Sequence, residues 1–195
     1  MSTQAQPDWP ALYERVAAHA RKVLAGVRAD QWALPTPCTD WNVRQLVTHM
    51  VSGVLRVRPT MDPPPAGAPP AVAPGADPLA PEPLFALHEA SKAAVTALKA
   101  PGAMARTVTS FRGPVPAPQY VFGTFQDLLV HTWDLAKATG QDTRLPADLV
   151  EADYAIAAGM RERWRASGAF GTEEPRVPDN ADTQTKLLAL MGRRA

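Results

Sequence analysis

Apolar residues recur with helical spacing along most of the chain and almost nowhere alternate as they would in a strand. Between residues 8 and 28 they fall at Leu12, Val16, Ala20, Val23, Leu24 and Val27, after an Asp8-Trp-Pro10 start that suits a first turn. From Trp41 to about Val57 the stripe is Val43, Leu46, Val47, Met50, Val51 and Val54, with Thr39 or Asp40 as the expected cap. Glu82–Leu98 repeats the pattern through Leu84, Leu87, Ala90, Ala94, Val95 and Leu98. Gln119–Thr139 carries a broad apolar face from Val121 to Ala136, and Gly140 is suited to stop it. A fifth helix is expected over Pro146–Ser167, followed by a loop over Gly168–Pro178. Asn180 or Asp182 then caps a last helix ending at Leu190-Met191.

The gaps between these stripes differ greatly in length. Ten of the 21 prolines fall between Pro59 and Pro83, too dense for a packed helix or strand. An irregular excursion is expected there, either a floppy loop or the wall of a pocket. Ala105–Phe111 is rich in strand formers, but Arg112-Gly-Pro-Val-Pro-Ala-Pro118 looks unable to continue it, so no hairpin is expected. The sum is an all-α chain, an antiparallel helical bundle with four long helices, one or two shorter ones and loops of unequal length.

Composition narrows the classes. A chain of 195 residues supports one domain with a real core, expected to span 1–195. The formal net charge of +1 comes from scattered charges of both signs, which offers nothing to nucleic acid or an anionic membrane. The single cysteine, Cys38, permits no internal disulfide and suits a reducing cytoplasm. The N-terminus has no signal-peptide pattern, and no 18-residue apolar run occurs. A soluble cytoplasmic protein is expected.

Candidate chemistry sits on two helices. Asp127 and His131, four residues apart, fall on one side of the fourth helix, a turn apart. His49 lies at the edge of the second helix's stripe. Two imidazoles and one carboxylate would hold a metal with open positions, as a catalytic site requires. The bland alternatives are a solvated surface pair for Asp127 and His131 and a core-edge histidine for His49. Ser52 and Gly53, three and four residues past His49, would leave room for a ligand. With Trp133, a large aromatic beside His131, they are the candidate substrate contacts. Asp134 either orients His131 or is solvated. Cys38 is expected to be buried and inert rather than a nucleophile.

Three blocks of sequence extend this reading. They are Pro35-Thr-Pro-Cys-Thr-Asp-Trp-Asn-Val-Arg-Gln-Leu-Val-Thr-His49, Asp127-Leu-Leu-Val-His-Thr-Trp-Asp-Leu-Ala-Lys-Ala-Thr-Gly140, and Val177-Pro followed by Leu187-Leu-Ala-Leu-Met-Gly-Arg193. Together and in this order they resemble a large actinobacterial family of the DinB-like superfamily. That family is similar to the metal-binding domain of mycothiol-dependent maleylpyruvate isomerase. The resemblance implies a DinB-like four-helix bundle with a divalent metal, Zn²⁺ or Ni²⁺, whose ligands map onto His49, Asp127 and His131. The isomerase carries glutamate where this chain has Asp127. Mycothiol as co-substrate, and thiol-dependent isomerisation or transfer on a small electrophile, are the activity it implies. Two other readings stand beside it. One is a binding protein without turnover, for which a homodimer sharing its pocket is one arrangement. The other is a metal-independent cyclase or isomerase using Asp127, His131 and Asp134 as acid and base.

Overall fold

The computed structural model describes residues 7–63, 75–110, 113–167 and 175–194. The chain divides into two compact units, Met1–Asp142 and Thr143–Ala195. The first holds helices α1 (Trp9–Ala25), α2 (Val43–Met61), α3 (Pro83–Leu98) and α4 (Ala117–Thr139), with strands β1 (Thr107–Ser110) and β2 (Gly113–Pro116). The second holds α5 (Ala147–Ser167) and α6 (Thr183–Leu190). No helix among the described residues is long and apolar enough to cross a membrane.

The first unit is the expected four-helix bundle. Helix α1 packs on α3 and α4, and α2 packs on the same two. Named contacts give the directions. Trp9 meets Phe122 and Phe125, and Gln141 donates to the Val23 carbonyl, so α1 and α4 run the same way. Glu14 pairs with Lys99 and Arg21 with His88, so α1 and α3 are antiparallel. Tyr120 reaches Arg56 while Asp127 reaches His49, so α2 and α4 are antiparallel too. Helices α2 and α3 therefore run side by side in the same direction. The connection between them must return along a helix of roughly 28 Å, at 1.5 Å per residue. That requirement accounts for the long proline-rich stretch, and Asp77 near its end pairs with Arg44 at the start of α2.

Local chemistry sets the helix ends. Asp8 caps α1 by accepting from the Ala11 N–H, and Gly140 ends α4 in the left-handed region at φ 68°. The cap of α2 is Asn42, not Thr39 or Asp40. It accepts from the Gln45 N–H at 2.9 Å while the Gln45 side chain accepts from the Asn42 N–H at 3.0 Å. Helix α2 also runs past the expected end, through Pro59 to Met61. Pro59 lies in the last turn, where its missing N–H removes one hydrogen bond, and the buried Met61 side chain offsets that loss. Of the proline-rich excursion, residues 64–74 lie outside the described residues.

A hairpin forms where none was expected. Strands β1 and β2 pair antiparallel, with Thr107 opposite Pro116 and Thr109 opposite Pro114. Both prolines fall at positions whose N–H would point out of the ladder, so neither costs a bond. The Ala117 N–H continues the alternation by donating to the Arg106 carbonyl at 2.9 Å.

In the second unit Gln184 accepts from the Leu145 N–H and donates to the Thr143 carbonyl, and Asp182 caps α6. The buried row of α5 is Leu149, Asp153 and Ala157, while Tyr154, Ile156 and Met160 are half-buried.

Candidate metal centre

Helix α4 carries Tyr120, Thr124, Asp127, His131 and Asp134 at spacings of four and three. That is the pattern with which a bundle helix presents apolar seam residues to a neighbour. Here the seam facing α2 is polar. From α2, His49 enters it; from the loop before α2, Cys38 and Trp41 do.

The three predicted ligands meet. His49 Nε2 stands 3.2 and 3.3 Å from the two Asp127 carboxylate oxygens. His131 Nε2 stands 3.4 Å from Asp127 Oδ1. The imidazole rings cross edge-to-face, 4.9 Å between centroids. Donors bound to one ion at about 2.0–2.1 Å and tetrahedral angles stand roughly 3.3 Å apart, close to the distance of each histidine nitrogen from Asp127, and all three donor atoms lie within 4.8 Å of one another. The aspartate, one methylene shorter than glutamate, reaches both histidines. The Asp127 and His131 pair faces α2 rather than solvent alone, and His49, at the edge of the core, faces the pair.

Behind His131 lies a second set of groups. Its Nδ1 is 2.9 Å from Asp134 Oδ2, which leaves Nε2 directed at Asp127. The Cys38 thiol donates to the same Asp134 oxygen at 3.3 Å and lies 3.7 Å from His131 Nδ1. The sequence expectation of an inert Cys38 misses this placement. The loop that delivers it is held by Thr36, whose hydroxyl accepts from the Cys38 N–H at 3.1 Å and donates to the Trp41 carbonyl at 2.8 Å. Trp41 then lies against His49, 4.6 Å between ring centroids. No sequence periodicity flagged Trp41, because it acts from a loop rather than a helix face.

Burial separates the two sides. The His131 and Asp134 side chains are 11% and 0% exposed, whereas His49 and Asp127 keep 29% and 41%. Full burial rules out a solvated Asp134, whose Oδ2 lies against His131 Nδ1 and the Cys38 thiol. Burial pulls the His131 pKa down, but hydrogen bonds to Asp127, Asp134 and Cys38 more than reverse this and push it up to about 11. Burial pushes Asp127 up, yet hydrogen bonds from His131 and His49 outweigh it and hold the carboxyl well below the usual carboxylate range. The two carboxylates thus favour positive charge at His131, either a proton or a metal ion with a neutral imidazole.

The substrate candidates divide. A Cβ on Gly53 would stand 3.6 Å from Asp127 Oδ2, so the glycine does border the centre. Ser52 is half-buried one turn from His49. Trp133 is a correction: it is 2% exposed, with Lys137 Nζ 5.2 Å above its ring. Two residues along a helix is a 200° rotation, which turns it away from the seam that holds His131. Tyr13 of α1, unremarked in the sequence, is fully buried, and its phenol pKa is pushed up by burial and, less, by Tyr120 and Asp127. The remaining histidines lie elsewhere, His88 beside Arg21 and His19 on α1. An open groove of about 520 Å³ runs between α2, α3 and residues 76–80, on another face of α2 from His49.

Residues 13–136 match the family model of the mycothiol maleylpyruvate isomerase N-terminal domain. Uncharacterized proteins of two Mycobacterium tuberculosis strains are each 35% identical over 173 residues, covering 88% of this chain and 90% of theirs. A crystal structure of a histidine-to-alanine mutant of mycothiol-dependent maleylpyruvate isomerase superposes with a TM-score of 0.64 at 16% identity, over 89% of this chain and 77% of that one. At that identity the superposition speaks for the fold. The chain belongs to the mycothiol maleylpyruvate isomerase N-terminal domain family.

Proposed function

We propose that this protein binds one divalent metal, Zn²⁺ or Ni²⁺, through His49 Nε2, an Asp127 oxygen and His131 Nε2. Its work on that reading is thiol-dependent isomerisation or transfer on a small electrophile in the cytoplasm, with mycothiol as the thiol. The carrying observation is the convergence of three donor atoms from two helices, each histidine nitrogen 3.2–3.4 Å from an Asp127 oxygen and all three within 4.8 Å of one another. A divalent ion with open positions lowers the pKa of a bound thiol or polarises a carbonyl.

The chain's own residues do the rest. Asp134 keeps the proton of His131 on Nδ1, so that Nε2 offers a lone pair. Trp41 lies along the His49 ring and limits its rotation. Gly53 leaves space beside Asp127 on the side open to solvent. The metal-independent acid–base reading fits less well. A histidine protonated to about pH 11 and a carboxylate held well below its usual range are both poor bases at neutral pH.

Metal content by mass spectrometry on tag-free protein tests the proposal. One equivalent in the wild type, lost in both His49→Ala and His131→Ala, is the expected result; no metal after growth with zinc and nickel would sink it. Turnover is then sought with mycothiol and small electrophiles. A loaded protein inert toward all of them would favour a binding protein without catalysis.

A further inference from the structure

The face of α2 that carries His49 continues through Ser52 and Gly53 to Arg56, two turns on. A Cβ on Gly53 would stand 3.6 Å from Asp127 Oδ2 and 4.0 Å from Arg56 Nη2. The carboxylate of the metal trio and a guanidinium therefore flank one gap, at the position where Gly53 carries no side chain. They do not pair with each other. No ion pair joins Arg56 to any carboxylate among the described residues, although Arg28, Arg44 and Lys99 all have one. The backbone of Arg56 is tied to α4, because its carbonyl accepts from the Tyr120 hydroxyl at 3.3 Å. Its side chain is exposed, so a ligand arriving from solvent meets it.

We propose that Arg56 is an anion-binding residue of this site, taking the carboxylate of a small ligand whose other end lies at His49, Asp127 and His131. The inference rests on the metal reading above. A guanidinium offers two parallel N–H donors that match a carboxylate, and it is always charged. Pairing with Asp127 would neutralise both groups and close the gap; their separation keeps the cation available beside a centre with open positions. One guanidinium also matches the single charge of a carboxylate, while a doubly charged phosphate would meet the negative Asp127 across the gap.

The test uses the full chain loaded with cobalt(II), whose visible bands report the metal and whose sulfur-to-cobalt band reports a bound thiol. Mercaptopropionate and mercaptopropanol have the same length and differ in the carboxylate. The wild type is expected to bind the acid about 10- to 100-fold more tightly, the range of a charge-assisted hydrogen bond. Arg56→Gln should erase that preference, Arg56→Lys should keep part of it, and both should retain the cobalt bands. Equal affinities in the wild type would overturn the inference. So would a preference that survives Arg56→Gln, which would mean that the carboxylate binds the metal instead. Absence of cobalt bands in the wild type would remove the metal reading, and this inference with it.

Discussion

The two nitrogens of His131 open onto regions of opposite character. On the Nε2 side stand His49 and Asp127, part-exposed, with a glycine gap and a guanidinium beyond. On the Nδ1 side stand Asp134, fully buried, and the Cys38 thiol that donates to it. The first region has donors to spare and a path to solvent; the second has its polar atoms engaged with one another. The difference assigns the work. On the proposed reading a ligand or metal exchanges on the open side, while the closed side fixes the ring that both share.

The largest effect should come from His131→Ala. Metal binding is lost, and Asp134 loses its imidazole partner inside the protein, which costs about 3 kcal/mol or more. His49→Ala should abolish metal binding equally but cost less than about 1 kcal/mol in the metal-free protein, since its ring and its Asp127 partner are part-exposed. Denaturant titration of both variants, stripped of metal, measures the gap. Equal destabilisation would mean that the two sides of His131 do not differ as described.

Asp134→Asn comes next. It keeps the shape but removes the charge that holds the proton on Nδ1, and metal affinity should fall about 10- to 100-fold with the fold intact. Competition with a chromophoric chelator gives the number. An unchanged affinity would reduce Asp134 to a packing role.

Acidity probes the same contrast in the metal-free protein. His131, raised from 6.5 to about 11, contributes stability that is fully present below pH 6.5 and lost as pH rises toward 11. Asp127, lowered from 3.8, contributes stability present above that value and lost as pH falls through its depressed pKa. The melting temperature without metal should therefore fall steadily between about pH 7 and 10, and metal should flatten that decline by taking the place of the proton. Metal uptake should release protons and tighten as pH rises. A metal-free melting temperature that stays level over this range would show that His131 is not held as an imidazolium.

Much of this was legible in the sequence, for reasons that differ by region. The helices of the bundle and the Asp127–His131 pair could be read because helical periodicity fixes which side chains share a face, whereas His49, on another helix, is joined to them by the family resemblance. Arg56 was legible by the same rule, seven residues beyond His49, but an exposed arginine on a helix looks like ordinary solubility. Cys38 and Trp41 were not legible as site residues, because a loop's path is set by particular bonds such as those of Thr36, and no periodicity reports them. The β1–β2 hairpin was hidden by its prolines, which break a ladder only at hydrogen-bonded positions. Trp133 belongs to the apolar face of its helix, so its ring is buried in the core rather than turned to the seam.

Cys38 carries the smallest expected effect and the sharpest test of the two-sided picture. Its thiol is a soft donor near the centre, and Cys38, His131 and Asp134 are themselves close enough to suit an ion. Yet the sulfur is on the Nδ1 side, hydrogen-bonded to a carboxylate that His131 also needs. If that side is closed, Cys38→Ala removes one weak donor, costs less than about 1 kcal/mol and leaves metal affinity within about threefold. Cobalt-loaded wild type without added thiol should then show no sulfur-to-cobalt absorption. If the band is present and vanishes in Cys38→Ala, the ion sits against the thiol, Asp134 becomes a ligand in place of Asp127, and the open and closed sides of His131 exchange roles.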